Sequence, residues 1–117
     1  MAAADVPEEQ EVAVLVRSPD GALIAGVSGV IAGGCLDLQA LWVDEPLRGQ
    51  GLARSLLEAA EVEARARGCA LMSLLAYDVT TGRLFERLGY RPVGAIDNGF
   101  AGTAVRWYCK DLVASDP

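Results

Sequence analysis

At Pro46 the chain changes its hydrophobic period, and this constrains the fold more than any other feature. Before it, apolar runs over 11–17, 23–31 and 36–43 have strand length. Turn-forming residues separate them, Ser18-Pro19-Asp20-Gly21 after the first and Ala32-Gly33-Gly34 after the second. After it, Leu52, Leu56, Leu57 and Ala60 recur at helical spacing, and Gly68 stands where a helix ends in a left-handed cap. The spacing predicts three antiparallel strands and then a helix over about 50–67. Ala70 to Tyr77 has strand length and follows directly, which completes a β-α-β unit with parallel strands.

Downstream, Thr80 or Thr81 is placed to cap a second helix through Leu88, with Leu84, Phe85 and Leu88 on its inner face and Gly89 ending it. Two more strands fit 90–96 and 104–110, joined by a loop from Asp97 to Gly102. The expected class is α/β of the α+β kind: a mixed, mainly antiparallel sheet with a central β-α-β unit. Gly26 and Gly29 in the second strand mark a bulge or a close backbone approach. The Arg and Glu residues of 58–67 read as a solvated helix face.

With 117 residues, 52% of them hydrophobic, there is enough for one core and too little for two. We expect a single domain over 11–112, a flexible arm over 1–10 and a short tail over 113–117. No apolar stretch approaches the roughly 20 residues that cross a bilayer. Asp5, Glu8 and Glu9 stand where a signal peptide would be basic, so the expectation is a cytoplasmic protein without membrane contact.

The chain has no histidine, which removes the commonest general base, the commonest metal ligand and any Ser-His or Cys-His nucleophile. Cys35, Cys69 and Cys109 are far apart and lack the paired spacing of zinc or redox sites, so no metal is expected; they read as free thiols, mostly buried, with Cys69 and Cys109 as buried filler. The net charge is −6, and residues 1–45 carry eight acids against Arg17 alone. That imbalance argues against nucleic acid as a partner.

The segment from Leu41 through Trp42, Val43, Arg48, Gly49, Gln50, Gly51, Leu52 and Ala53 runs from a strand through a glycine-bearing loop into a helix. Such a junction offers unpaired N–H groups at the positive end of a helix dipole, and its glycines leave room for a phosphate. On the residues alone it is equally a plain strand-to-helix turn. A dinucleotide fingerprint fails because Arg54 stands where its third glycine belongs, and a P-loop fails for want of Lys-Ser or Lys-Thr.

Arg48-x-x-Gly51-x-Ala53, preceded by Leu41-Trp42-Val43, resembles the signature of the GNAT acetyltransferase superfamily. Leu84-Phe85-Glu86-Arg87-Leu88-Gly89-Tyr90 resembles that family's later helix with its closing Gly-aromatic pair. The likeness spans roughly 11–112, without the strand and two helices that precede this core in the family. It implies a GNAT-like sheet whose β-α-β unit binds acetyl-CoA or a related acyl-CoA as co-substrate. The backbone of Leu41, Trp42 and Val43 would then pair with the pantetheine arm. Arg48 and the amides of Gly49, Gln50, Gly51, Leu52, Ala53 and Arg54 would hold the pyrophosphate, and Asp78 and Thr81 would lie near the cofactor tail.

The implied reaction is direct attack of an amine, small or on a protein, on the thioester. The resemblance places the oxyanion donor at the main-chain N–H near Val43. The family's usual acid and base positions hold Phe85 and Gln39, and Asp37 shares a strand face with Gln39, so these two polar residues are the catalytic candidates. Tyr77, Tyr90 and Tyr108 are alternative proton donors. A non-catalytic acyl-CoA-binding or interaction module on the same fold is the rival reading, and an uncovered sheet edge leads us to expect a homodimer.

Overall fold

A computed structural model of the chain describes residues 8–113. The order is β1 (Gln10–Arg17), β2 (Leu23–Ala32), β3 (Cys35–Val43), a 3-10 turn (Glu45–Leu47), α1 (Leu52–Ala66), β4 (Leu71–Ala76), α2 (Val79–Arg87), β5 (Arg91–Phe100) and β6 (Thr103–Asp111). One six-stranded sheet has the order β1-β2-β3-β4-β6-β5, with β3 and β4 parallel and every other neighbour antiparallel.

Local chemistry explains the joints. At the first hairpin Gly21 N–H donates to Ser18 O at 2.8 Å, and the Asp20 carboxylate accepts from Ala22 N–H at 3.0 Å, so the Pro-Asp-Gly sequence closes its own turn. Gly68, at φ +81, ends α1 and lets Cys69 N–H return to Ala64 O at 2.9 Å.

Strand alternation puts Val12, Val27, Leu36, Met72, Leu74 and Tyr108 on one face, where they join Leu56, Leu57, Ala60 and Ala64 of α1 and Phe85 of α2 in one core. Both helices therefore cover the same face. Among the described residues no element covers the other, which presents Leu15, Trp42, Leu75 and Trp107.

Four expectations need correction. Asp78, not Thr80 or Thr81, caps α2, because its carboxylate accepts from Thr81 N–H at 2.7 Å. The loop expected from Asp97 to Gly102 shrinks to Ala101-Gly102, since β5 continues to Phe100 with Asn98 at φ 55 bending it. The first strand begins at Gln10, inside the expected arm; residues 1–7 and 114–117 lie outside the described residues.

Finally, Glu61 does not belong to a solvated face. It is 6% exposed, accepts from Tyr90 Oη at 3.0 Å and pairs with Lys110 Nζ at 2.9 Å. These bonds join α1 to the start of β5 and to β6, and they satisfy a charge that burial alone would disfavour.

Candidate active site

Two irregularities of the sheet make the site. Ser28 pairs with Ala40 while Gly29 pairs with Leu38, so Gln39 is an extra residue, a bulge in β3. Gly29 is glycine because a Cβ there would strike the carbonyl of Asp37, which is the close approach expected for β2, whereas the bulge lies in β3 opposite it. Beyond the bulge the alternation of β3 resets, and Leu41 and Val43 turn toward the core while Trp42 turns to the open face.

The second irregularity is a parting of strands. β3 and β4 pair at Cys35–Leu71, Leu36–Met72 and Asp37–Ser73, and no further. Past Asp37 the two strands open into a slot of ≈ 300 Å³, lined by Gln39, Leu41 and Trp42 on one side and by Leu74, Leu75 and Tyr77 on the other, with Leu57, Asp78, Thr81 and Phe85 closing the helix side.

The facing edge of β3 has unpaired backbone. Asp44 N–H donates to Ile24 O at 2.9 Å, so Asp44 and the alternate residues Trp42 and Ala40 face β2. Leu41 and Val43 between them direct their peptide groups into the slot. The Val43 carbonyl is met there by Arg48 Nε at 3.0 Å, which ties the signature arginine to the mouth of the slot.

At that mouth α1 begins. Its N-cap is Gly51, in the left-handed region at φ +83, with no side-chain cap and no acid in the first turn. Gly49 is also left-handed, at φ +81. The first amides of α1 thus carry the positive end of the dipole with neither a side-chain cap nor a first-turn acid to answer it. A Cβ built on either glycine meets nothing within 4 Å, so it is conformation and not crowding that demands glycine here. Gln50 is exposed beside them. Arg54 points elsewhere, into a second cavity of ≈ 290 Å³ that it shares with Glu58, Arg87 and Lys110.

At the opposite end of the slot, where the strands part, Ser73 Oγ donates to Asp37 Oδ1 at 3.0 Å. Asp37 and Gln39 are both exposed on the open side. Ser73 is a site residue that the sequence pattern does not single out, although it is the one polar residue in the run from Ala70 to Ala76.

The structure separates the other candidates. Asp78 and Thr81 do line the slot, but the Asp78 carboxylate is engaged by Thr81 N–H at 2.7 Å and Thr81 Oγ1 at 2.9 Å. Of the tyrosines, Tyr77 lines the slot. Tyr108 is buried beneath Gly82 of α2 and against Phe85. The Tyr90 hydroxyl is committed to Glu61, and burial with that neighbouring carboxylate pushes its pKa well above the usual range. Burial also raises the thiols of Cys69 and Cys109, which keeps them protonated and unreactive. Among the described residues there is no cluster of three or more metal-ligating side chains, and no helix is long and apolar enough to cross a membrane.

Residues 3–90 match the model of the acetyltransferase (GNAT) family. The chain belongs to this family. It is 33% identical over 103 residues to acetyltransferase Atu2258 of Agrobacterium fabrum, covering 88% of this chain and 75% of the relative. It is 31% identical over 93 residues to blasticidin-S acetyltransferase of Streptomyces morookaense, covering 79% of this chain and 68% of the relative. The crystal structure of an acetyltransferase from Bacillus cereus superposes with a TM-score of 0.84 at 27% identity, over 91% of this chain and 76% of that one. The GNAT family match spans both the slot and the loop from Arg48 to Ala53, so the mixed sheet and its β-α-β unit are a GNAT fold.

Proposed function

We propose that this GNAT protein moves an acetyl group from acetyl-CoA to an amine by direct attack within a ternary complex. One observation carries the reading. The slot follows a length of unpaired strand edge that leads on one side to the loop before an uncapped helix N-terminus, and on the other to the point where the strands part beside a carboxylate held by a hydroxyl. Each part suits one part of the reaction.

The amides from Gly49 to Ala53 suit the pyrophosphate, being free donors at a helix N-terminus, with Arg48 adding a charge beside them. The slot edge of β3 suits the amide-bearing pantetheine arm, which can bond to Leu41 and Val43 as an added strand would. The thioester then lies deeper, toward the bulge. Leu41 N–H is nearer that end than Val43, whose carbonyl is tied to Arg48, so we assign the oxyanion contact to Leu41.

Asp37 takes the amine proton. Its Oδ1 is held by Ser73, which leaves Oδ2 to meet the incoming ammonium. The neutral amine attacks the carbonyl carbon, the C–S bond breaks, and coenzyme A leaves as thiolate and takes a proton from solvent. Gln39 carries no charge and serves at most as a hydrogen-bond partner of the acceptor.

The test is thiol release from acetyl-CoA with a set of amines, beside calorimetry of acetyl-CoA binding. Release that depends on the amine is expected. Tight binding with no release from any amine would instead identify a non-catalytic acyl-CoA-binding module.

A further inference from the structure

The open face of the sheet differs from the rest of the surface around the slot. Strand alternation puts Trp42 on one bank and Leu75 and Tyr77 on the other, and Trp107 pairs with Leu75 across the next strand. Phe100 packs edge-on against Tyr77 with ring centroids 5.1 Å apart. These five side chains are between 38% and 59% exposed, although each is large and apolar. Trp42, Leu75 and Tyr77 also line the slot itself, so the apolar surface is continuous with the place where acyl transfer is assigned.

Carboxylates border this shelf without entering it: Asp44 is exposed two residues beyond Trp42, and Asp78 is held by Thr81. Asp37 stands at the end of the slot. Asp111 is paired with Arg91 at 2.7 Å, and Glu11 shares the row of Asp37 but lies two strands away, on the order of 10 Å. A flat apolar body fits that surface, since aromatic rings pack on one another and a neighbouring ammonium is held by both a carboxylate and a ring face.

We infer that the acceptor is an amine carried on an aromatic body, which lies on the shelf of Trp42, Leu75, Tyr77, Phe100 and Trp107 while its ammonium reaches Asp37. This rests on the transferase reading above and narrows it to a substrate class.

Initial rates of thiol release with 2-phenylethylamine and tryptamine, set against spermidine and kanamycin, test it. The aromatic monoamines should show kcat/KM at least tenfold higher. Trp107→Ala should cut that ratio at least tenfold and Trp107→Phe should restore it, which a loss of fold would not do. Equal or better rates with spermidine or kanamycin would overturn the assignment. If acetyl-CoA binds but no amine is acetylated, the transferase reading fails separately. The shelf is then read by saturation-transfer NMR with coenzyme A present: contact with 2-phenylethylamine and not with spermidine supports it, and no contact overturns it.

Discussion

Replacing Gly51 by alanine isolates what the cradle requires. Gly51 sits at φ +83 with nothing within 4 Å of the methyl that alanine would add, so the substitution brings no clash and only the strain of a left-handed alanine, about 1–2 kcal/mol. Gly102, in the turn between β5 and β6, provides the control, since its φ is +78 and its surroundings are equally open. A left-handed turn held in shape should therefore lose about 1–2 kcal/mol in urea unfolding, as expected for Gly102→Ala. Only at Gly51 does the strained loop also present amides to a ligand. If the loop relaxes to a right-handed conformation, the amides turn away, and restoring them on binding costs the same strain. At about 1.4 kcal/mol per decade this weakens acetyl-CoA binding by about 5- to 30-fold. Calorimetry on the three proteins measures it. The strain is counted once, so a loop that keeps its shape loses stability and one that relaxes loses affinity; wild-type affinity with wild-type stability in Gly51→Ala would refute the assignment of the pyrophosphate to this loop.

The remaining predictions concern the far end of the slot, the core and assembly. Asp37→Asn should lower kcat by about 10²- to 10⁴-fold with acetyl-CoA affinity retained, and Ser73→Ala should give a smaller loss that Ser73→Thr recovers; unchanged steady-state rates in both variants would leave solvent as the proton acceptor. Glu61→Ala should cost about 2–3 kcal/mol in urea unfolding, because it leaves the buried Tyr90 hydroxyl without its partner. Tyr90 is held protonated in the fold, so its stabilisation is complete below the unfolded tyrosine pKa near 10 and is lost as pH rises above it. The stability difference between wild type and Tyr90→Phe should fall by about 1.4 kcal/mol per pH unit there, and a constant difference from pH 8 to 11 would contradict the burial argument. We also propose a twofold homodimer, with the outer edge of β1 and the adjoining Leu15 as the shared surface; light scattering that gives the mass of one 12.3 kDa chain would exclude it.

What a sequence discloses depends on how local each determinant is. The strand-to-helix junction is legible because everything it needs lies within a few residues: the end of β3, Arg48, two left-handed glycines and the apolar repeat of α1. The cap of α2 is ambiguous in sequence because Asp78, Thr80 and Thr81 all favour that position, and only the observed bond from Thr81 N–H to Asp78 decides among them. Glu61 eludes the pattern for another reason. Its helix position alone reads as solvated, and the hydroxyl that buries it is 29 residues away in the sequence.

The slot itself belongs to this last kind. Hydrophobic patterning makes β3 and β4 parallel neighbours, which would ordinarily be a continuous ladder with no room for a ligand. They part after Asp37 because Gln39 is one residue too many for β2. The bulge bends β3, and Gly29 is the residue that lets the bend approach so closely. The bulge absorbs the extra residue, so Leu41, opposite Val27, points its side chain to the core while Trp42, opposite Gly26, stands on the open surface. A single insertion thus accounts for the gap assigned to the pantetheine arm and for the unpaired amide of Leu41. Removing Gln39 should undo both at once, so a one-residue deletion there is expected to lose acetyl-CoA binding through a restored ladder between β3 and β4, visible as new slow-exchanging amides at Leu41 and Val43.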